Sequence, residues 1–266
     1  MTTFNINLNY NSLREKSHIW IRRSSVFLGI ASNIFQIAPE VSHVLDTKEQ
    51  VIIVPPEVGQ ALRQKFLEEF ETWVIGSALR DLIEGHSSFL LHSYGYAELL
   101  VPGPMHKGIL EQRITNFDKH NVVPRSRKVF ELLDCKDDFS PMFASLVKAR
   151  NCFAHRNGIV ANLDTNIDDS LQLVWRFLAL KVPDENEDLV RLDLNEIGEY
   201  PVEAGQSLKI GSVEEKKSFK VGEQIRLNKH ELNQILLGFH LAAEAAISGL
   251  QSVAKKLDVP SDAGSS

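Results

Sequence analysis

Apolar positions recur every three or four residues over several long stretches of the chain and every second residue over one. This pattern predicts a helical protein carrying a small β region. Leu62, Phe66, Phe70, Trp73, Leu79 and Leu82 step at helical spacing behind Pro56, predicting a first strong helix over 57–92 that Gly85 or Gly95 ends or kinks. Pro102-Gly103-Pro104 breaks the chain, and a second helix is expected over 105–120. Pro124 and Pro141 bracket a short helical piece, and a further helix follows over 141–156, where Phe139, Phe143, Leu146 and Phe153 share one face. The last helix is the most regular element. Leu232, Leu236, Phe239, Ala243, Ala246, Leu250, Val253 and Leu257 alternate steps of four and three, the seam of a helix lying nearly parallel to its neighbour. Asn228 with Glu231 three later reads as a capping box. Ala243 and Ala246 admit a partner helix closely, in the bundle core or across a dimer.

Between 170 and 227 the period changes. Leu171, Leu173, Trp175, Phe177 and Ala179 alternate, as does 190–194, and 218–221 and 224–227 continue the theme with Gly205, Gly211 and Gly222 as turn markers. This predicts an antiparallel β-insertion of three to five strands. Residues 1–55 combine a polar start, an apolar stretch over 19–37 and a strand-like Val51-Ile-Ile-Val54 stopped by Pro55-Pro56, and read as a lead-in packed on the bundle. The helical domain then spans 56–258, and the small polar residues of 259–266 predict a disordered tail.

Composition narrows the function classes. At 266 residues, 43% hydrophobic and 24% charged, the chain suits one sizeable core or a core with an insertion. No run of about 18 uncharged apolar residues stands out, and the first residues lack the basic start and apolar block of a signal peptide. Cys135 and Cys152 form no metal-type spacing. These features predict a cytoplasmic protein with no membrane association. The nine histidines include no His-Glu-x-x-His pattern and no carboxylate cluster, so neither metal nor cofactor is expected, and His86 and His92 read as ordinary helix or core residues. No phosphate-binding glycine pattern occurs. The formal charge of −6 argues mildly against a nucleic-acid partner. Its distribution is uneven: residues 119–160 carry eight basic side chains against four acids, whereas 184–199 carry seven acids against Arg191.

The cationic region holds the candidate chemistry, in the run from Leu146 through Arg150, Asn151, Cys152 and His155 to Val160. Projected on a helix, Arg150 falls among the apolar residues, where a cation needs a carboxylate, a carbonyl or an anionic ligand. Asn151 and His155 stand four apart and share a face. Arg150 and His155 stand five apart, about 140° around the axis. They meet only if the Arg wraps round, if the helix loosens near Asn157-Gly158, or if a second copy supplies the other half. Asn157-Gly158 is a plausible helix stop and puts His155 in the last turn. Cys152, three before His155, fits a small buried apolar residue beside Phe153 better than a nucleophile.

Arg150, four residues, then His155, with Asn151 after the Arg and Arg156-Asn157-Gly158 following, resembles the signature of HEPN domains. So does its setting late in a helix, with a long helix upstream and another at the C-terminus. The resemblance implies a mainly α fold, an antiparallel helical bundle, here with the small antiparallel β-insertion between the motif helix and the C-terminal helix (α+β overall). It implies a homodimer paired through the motif helices and, in many members, a metal-independent endoribonuclease with a role in antiviral defence or toxin-type stress response. RNA is then the expected partner, cut by attack of the ribose 2′-hydroxyl to give a 2′,3′-cyclic phosphate. His155 would move the proton, Arg150 would hold the non-bridging oxygens, Asn151 would orient either, and Lys148 and Arg156 would make backbone contacts. The alternative is a non-catalytic HEPN-type module that binds nucleotide, RNA or protein. Family toxins that are regulated by modification carry a Tyr two residues after the His; this chain has Asn157 there. No residue points to a particular regulatory partner.

Overall fold

The structure, a computed structural model, describes residues 8–37, 43–46, 51–54, 58–102, 106–183, 189–191 and 209–259. These form helices α1 (Tyr10–Ser32), α2 (Ile34–Ile37), α3 (Gln60–Leu100), α4 (Lys107–Asp118), α5 (Val122–Leu132), α6 (Ser140–Arg156) and α7 (Lys229–Lys256). The strands are β1 (His43–Asp46), β2 (Val51–Val54), β3 (Ser170–Pro183), β4 (Leu189–Arg191) and β5 (Lys209–Lys220). The protein is mainly helical with a small antiparallel β component, as the hydrophobic pattern predicts.

The 41-residue α3 is the axis, about 60 Å long at the usual helical rise. On one side α1 runs antiparallel to it. Lys16 Nζ lies 3.2 Å from His92 Nε2, Trp20 covers Gly85, Arg23 pairs with Asp81, and Ser24 Oγ donates to the Ala78 carbonyl. On another side α6 also runs antiparallel, bringing Phe153 to Gly76 and Phe143 to His86. Between them α7 packs on both α1 and α3, with Phe239 meeting His86 and Phe143. The N-terminal segment is thus packed on the bundle as a full helix of 23 residues.

Two features of α3 differ from expectation. It continues through Gly85 and Gly95 to Leu100. Gly85 is a close-contact residue rather than a breaker, because a Cβ there would lie 2.1 Å from Trp20 Cγ. Three of the apolar residues expected in its core are not there: Leu62, Phe70 and Trp73 are exposed, Trp73 at 65%, whereas Leu67, Val74 and Ile75 are buried in the same stretch and Leu79 and Leu82 beyond it. The amphipathic pattern identifies the helix but not which of its apolar residues face the covering partners.

α6, α7 and the β-insertion share one core. Leu171, Leu173, Trp175, Phe177 and Ala179 all point inward from β3, and Trp175 Nε1 donates to Gln234 Oε1 on α7 at 2.9 Å. β3 pairs antiparallel with β5 from Ser170↔Lys220 to Lys181↔Lys209, and the short β4 pairs with residues 181–183. Beside the rest of that β3 edge, Ser145 of α6 stands in as a bonding partner, accepting from Val174 N at 3.0 Å. The strand expected at 224–227 is not one. Ile225 and Leu227 alternate inward, but the segment makes only a bridge between Ile159 and Gln224. β1 and β2 form a separate antiparallel hairpin, which includes the strand expected at 51–54. Residues 192–194 and the tail from 260, also assigned from the sequence, lie outside the described residues.

The capping box that opens α7 is present, with Glu231 N donating to Asn228 Oδ1 at 2.9 Å and Asn228 N to Glu231 Oε2 at 2.7 Å. Its seam is broader than two residues per heptad, since Ile235, Ala242, Ile247 and Ala254 are buried as well. α7 is long and apolar enough to cross a membrane, and more than half of its apolar window is covered inside the bundle, as in a core helix.

His86 is a core residue, as expected, and it carries a cost. It is 5% exposed, its ring lies 4.6 Å from that of Phe143 and 5.5 Å from those of Phe89 and Phe239, and its Nε2 has no hydrogen-bond partner among the described residues. Burial pushes its pKa down to about 3. The unfolded chain binds a proton here near pH 6.5 and the folded chain does not, so stability falls as the pH drops from about 6.5 to 3.

Two outcomes are expected. Urea denaturation at pH 7 and pH 4.5 should show wild type losing roughly 2–3 kcal/mol more than His86→Leu over that interval; equal losses would contradict this account of His86. On α3, Gly85→Ala should destabilise by about 1–3 kcal/mol. Gly95→Ala, whose Cβ would meet only Ile114 Cδ1 at 3.5 Å, should be neutral or stabilising.

Candidate functional site

The candidate motif occupies the last turns of α6, and the sequence around it explains how that helix starts and stops. Pro141 sits in the first turn, where its missing N–H costs nothing. Asp137 Oδ1 accepts from the free N–H groups of Phe139 and Ser140 at 3.1 and 3.0 Å. At the far end Asn157 takes the left-handed conformation at φ 52°, ψ 35°, and Gly158 follows at φ 79°. The N–H groups of both close on the Cys152 carbonyl, a Schellman-type stop. The expected stop at Asn157-Gly158 is therefore present, and His155 lies in the last turn.

Beyond the stop, the chain is fastened twice. Residues 158–160 run beside the β5–α7 connection, with Val160 N on Glu223 O, Gly222 N on Val160 O and Ile225 N on Gly158 O at 2.8–2.9 Å. A 3-10 turn at Asn162–Asp164 then folds back on α6. Its Asp164, 2% exposed, accepts from Arg156 through Nε at 2.8 Å and through Nη2, and from Ala161 N at 2.9 Å. Burial works to raise the Asp164 pKa, but the Arg156 guanidinium and the Ala161 N–H outweigh it and hold the carboxyl below its usual range. Lys148 Nζ donates to the Thr165 carbonyl at 2.9 Å. Lys148 and Arg156, expected to contact phosphate, thus both hold this turn in place. The cationic surplus of the region is largely engaged too: Arg125 is buried on the His120, Ser87 and Asp118 oxygens, Lys128 pairs with Glu131, and Lys136 with Asp138.

Cys152 is fully buried with its Sγ 3.1 Å from the Ile159 carbonyl. Burial first, then the nearby Asp164 charge, pushes its pKa up to about 11. It is a packing residue and no nucleophile.

Arg150, Asn151 and His155 behave differently. None of the three makes a side-chain hydrogen bond or ion pair among the described residues, and Arg150 Nε is enclosed without a partner. His155 is exposed, while Arg150 and Asn151 are half-buried. Helix α6 is unbroken from Ser140 to Arg156, so the loosening that would bring Arg150 and His155 together within one chain does not occur. Asn151 and His155 share an outward ridge with exposed Ala144 and half-buried Lys148. Arg150 sits at the edge of the buried face rather than in its middle, which is occupied by Met142, Leu146, Ala149 and Phe153. One chain therefore presents the two halves of the motif on adjoining but separate aspects of the helix.

The surroundings of the ridge were not legible in the sequence. Ile159, Leu163 and Ile167 are exposed, at 48, 70 and 47%, and extend an apolar margin past the end of α6. Next to Asn157 and Ile159 opens a groove of about 610 Å³ whose other wall is the first half of α3. Glu68, Glu69 and Glu71 line it together with Lys65, Lys217 and Arg226, so its walls are mixed in charge.

No family model, curated protein or solved structure matches the chain.

Asp164→Asn should destabilise by about 2–3 kcal/mol at pH 7, because it leaves the Arg156 cation half-buried without its counter-charge. The gap to wild type should narrow as the pH falls through the depressed Asp164 pKa. A change below about 0.5 kcal/mol in urea denaturation would contradict the bracing role of the Arg156–Asp164 pair.

Proposed function

We propose that the protein is a metal-independent endoribonuclease of the HEPN type that acts as a two-fold dimer. The observation that carries this reading is the division of labour on α6. Lys148 and Arg156 are committed within the chain, while Arg150, Asn151 and His155 are left without side-chain partners among the described residues, at the end of the same helix. A half-buried guanidinium with an enclosed, unpartnered Nε is costly unless an anion or a second protein surface meets it. An α6-to-α6 contact offers both. Exposed Ala144 and Ala154 let a second helix approach closely, the margin of Ile159, Leu163 and Ile167 supplies apolar area, and a two-fold axis brings Arg150 of one copy towards the partner's His155.

In such a cleft the RNA supplies its own nucleophile, so the groups required are a proton carrier and a charge clamp. His155 takes the 2′-hydroxyl proton or protonates the leaving 5′-oxygen. Arg150 holds the non-bridging oxygens, a contact that strengthens as negative charge grows on the phosphorane. Asn151, one turn before His155, orients the imidazole or the phosphate. The products are a 2′,3′-cyclic phosphate and a 5′-hydroxyl end.

The second reading, a non-catalytic HEPN-type module whose motif binds a nucleotide or completes a protein interface, is favoured by the formal charge of −6. Incubation of the purified full chain with total RNA in excess chelator, followed by end mapping, separates the two. Cleavage leaving cyclic-phosphate ends is expected, falling by about 10²-fold or more in His155→Ala and in Arg150→Ala while both remain dimeric. RNA left intact by dimeric wild type, or cleavage unchanged in both variants, would remove the nuclease reading.

A further inference from the structure

Away from α6, the seam between α1 and α7 brings together side chains of the kind that transition metals take. His18 of α1 and His240 and Glu244 of α7 each offer one ligand atom, and these atoms lie within 4.8 Å of one another. His240 and Glu244 stand four apart on one helix face. His18 reaches them from the antiparallel α1, its ring 5.3 Å from that of His240 with the planes inclined at 37°. Two imidazoles and a carboxylate with open positions remaining form a donor set for a divalent transition ion, zinc above all.

A second observation points the same way. His18 Nε2 is enclosed by the protein and has no hydrogen-bond partner among the described residues. A buried lone pair or N–H without a partner is uncommon in folded proteins, and coordination of a cation is one interaction that resolves it. The carboxylate is ready for the same task. Arg14 holds it through Nε–Oε1 at 2.7 Å and Nη2–Oε2 at 2.9 Å, and these hydrogen bonds keep the Glu244 carboxyl ionised, below its usual range. Each oxygen retains a further lone pair, and a ligating carboxylate oriented by an outer hydrogen-bond donor is the common arrangement at metal sites. The Arg14 charge opposes the ion, so the affinity is moderate.

We propose that His18, His240 and Glu244 bind one divalent cation of the zinc class, which pins α1 to α7. Donors about 2.0–2.1 Å from a tetrahedral ion lie about 3.4 Å apart, so the side chains close in by up to about 1.5 Å through rotation of the imidazoles. The site is structural rather than catalytic in placement, since α1 packs on α3 and α7 while the motif helix packs on α3, α5 and β3. It is independent of the RNA chemistry proposed above. The sequence predicts no metal because these donors come from opposite ends of the chain and form no local ligand pattern.

The test uses the full chain stripped with chelator and titrated with Zn²⁺ and, separately, with Co²⁺. Expected are one ion per chain by calorimetry, a rise of several degrees in melting temperature with Zn²⁺, and visible d–d absorption of low-symmetry Co²⁺. In His18→Gln and in His240→Gln the affinity should fall at least 10-fold, whereas His120→Gln, an exposed histidine elsewhere, should match wild type. Wild type with neither a thermal shift nor a Co²⁺ band, or binding retained in both His18→Gln and His240→Gln, overturns the proposal. The wild-type Co²⁺ spectrum decides the first point even where a variant folds poorly.

Discussion

Phe153 is gripped between two glycines, and this contact fixes how the motif helix is turned. A Cβ at Gly76 on α3 would lie 2.7 Å from Phe153 Cβ, and one at Gly158 would lie 2.8 Å from Phe153 Cε1. Interiors packed to crystal density do not absorb such overlaps, so both positions require glycine and the ring has one seat. Ser145, bonded to the backbone of Val174, holds the same helix two turns earlier. With α6 unable to roll, Asn151 and His155 face outward and Arg150 stands at the margin of the core. A turn of one residue, about 100°, would bury the imidazole or expose the apolar face.

The fastening of the chain after α6 serves the same end. The Schellman stop, the backbone pairing of 158–160 with 222–225, and the Arg156–Asp164 pair together tie the last turn of the motif helix to the β-insertion and to the start of α7. The insertion is thus a brace for the site rather than an appendage. Two cations flanking the motif are consumed in this bracing, and Arg150, Asn151 and His155 are the groups that the proposed chemistry uses. Because those three do not converge within one chain, the functional unit in this account is two chains.

Features set by local pattern were legible in the sequence: the capping box at Asn228, the inward alternation from Leu171 to Ala179, the stop at Asn157-Gly158 and the run of α7. What was not legible depended on a remote partner. Gly85 looks like a helix breaker until Trp20 is seen lying on it. Leu62, Phe70 and Trp73 look like core until Leu67, Val74 and Ile75 are seen to take the covered face of the same stretch of helix. Lys148 and Arg156 look like free cations until an irregular turn delivers the Thr165 carbonyl and the Asp164 carboxylate. The region 224–227 has the alternation of a strand without a ladder, since only inward burial of Ile225 and Leu227 is needed to produce it. The HEPN resemblance rests on Arg150, Asn151 and His155 and on the helical setting, and the mainly helical architecture with its small β component agrees with it at that coarser level.

The central claim is that Arg150 of one copy works with His155 of the other. Subunit complementation tests it most directly: dimers formed by mixing Arg150→Ala chains with His155→Ala chains contain one cleft with both groups intact. Ribonuclease activity that is absent from each variant alone and returns on mixing is the predicted result. Mixed dimers that form, shown by a tagged pull-down, and yet stay inactive beside an active wild type would contradict the account.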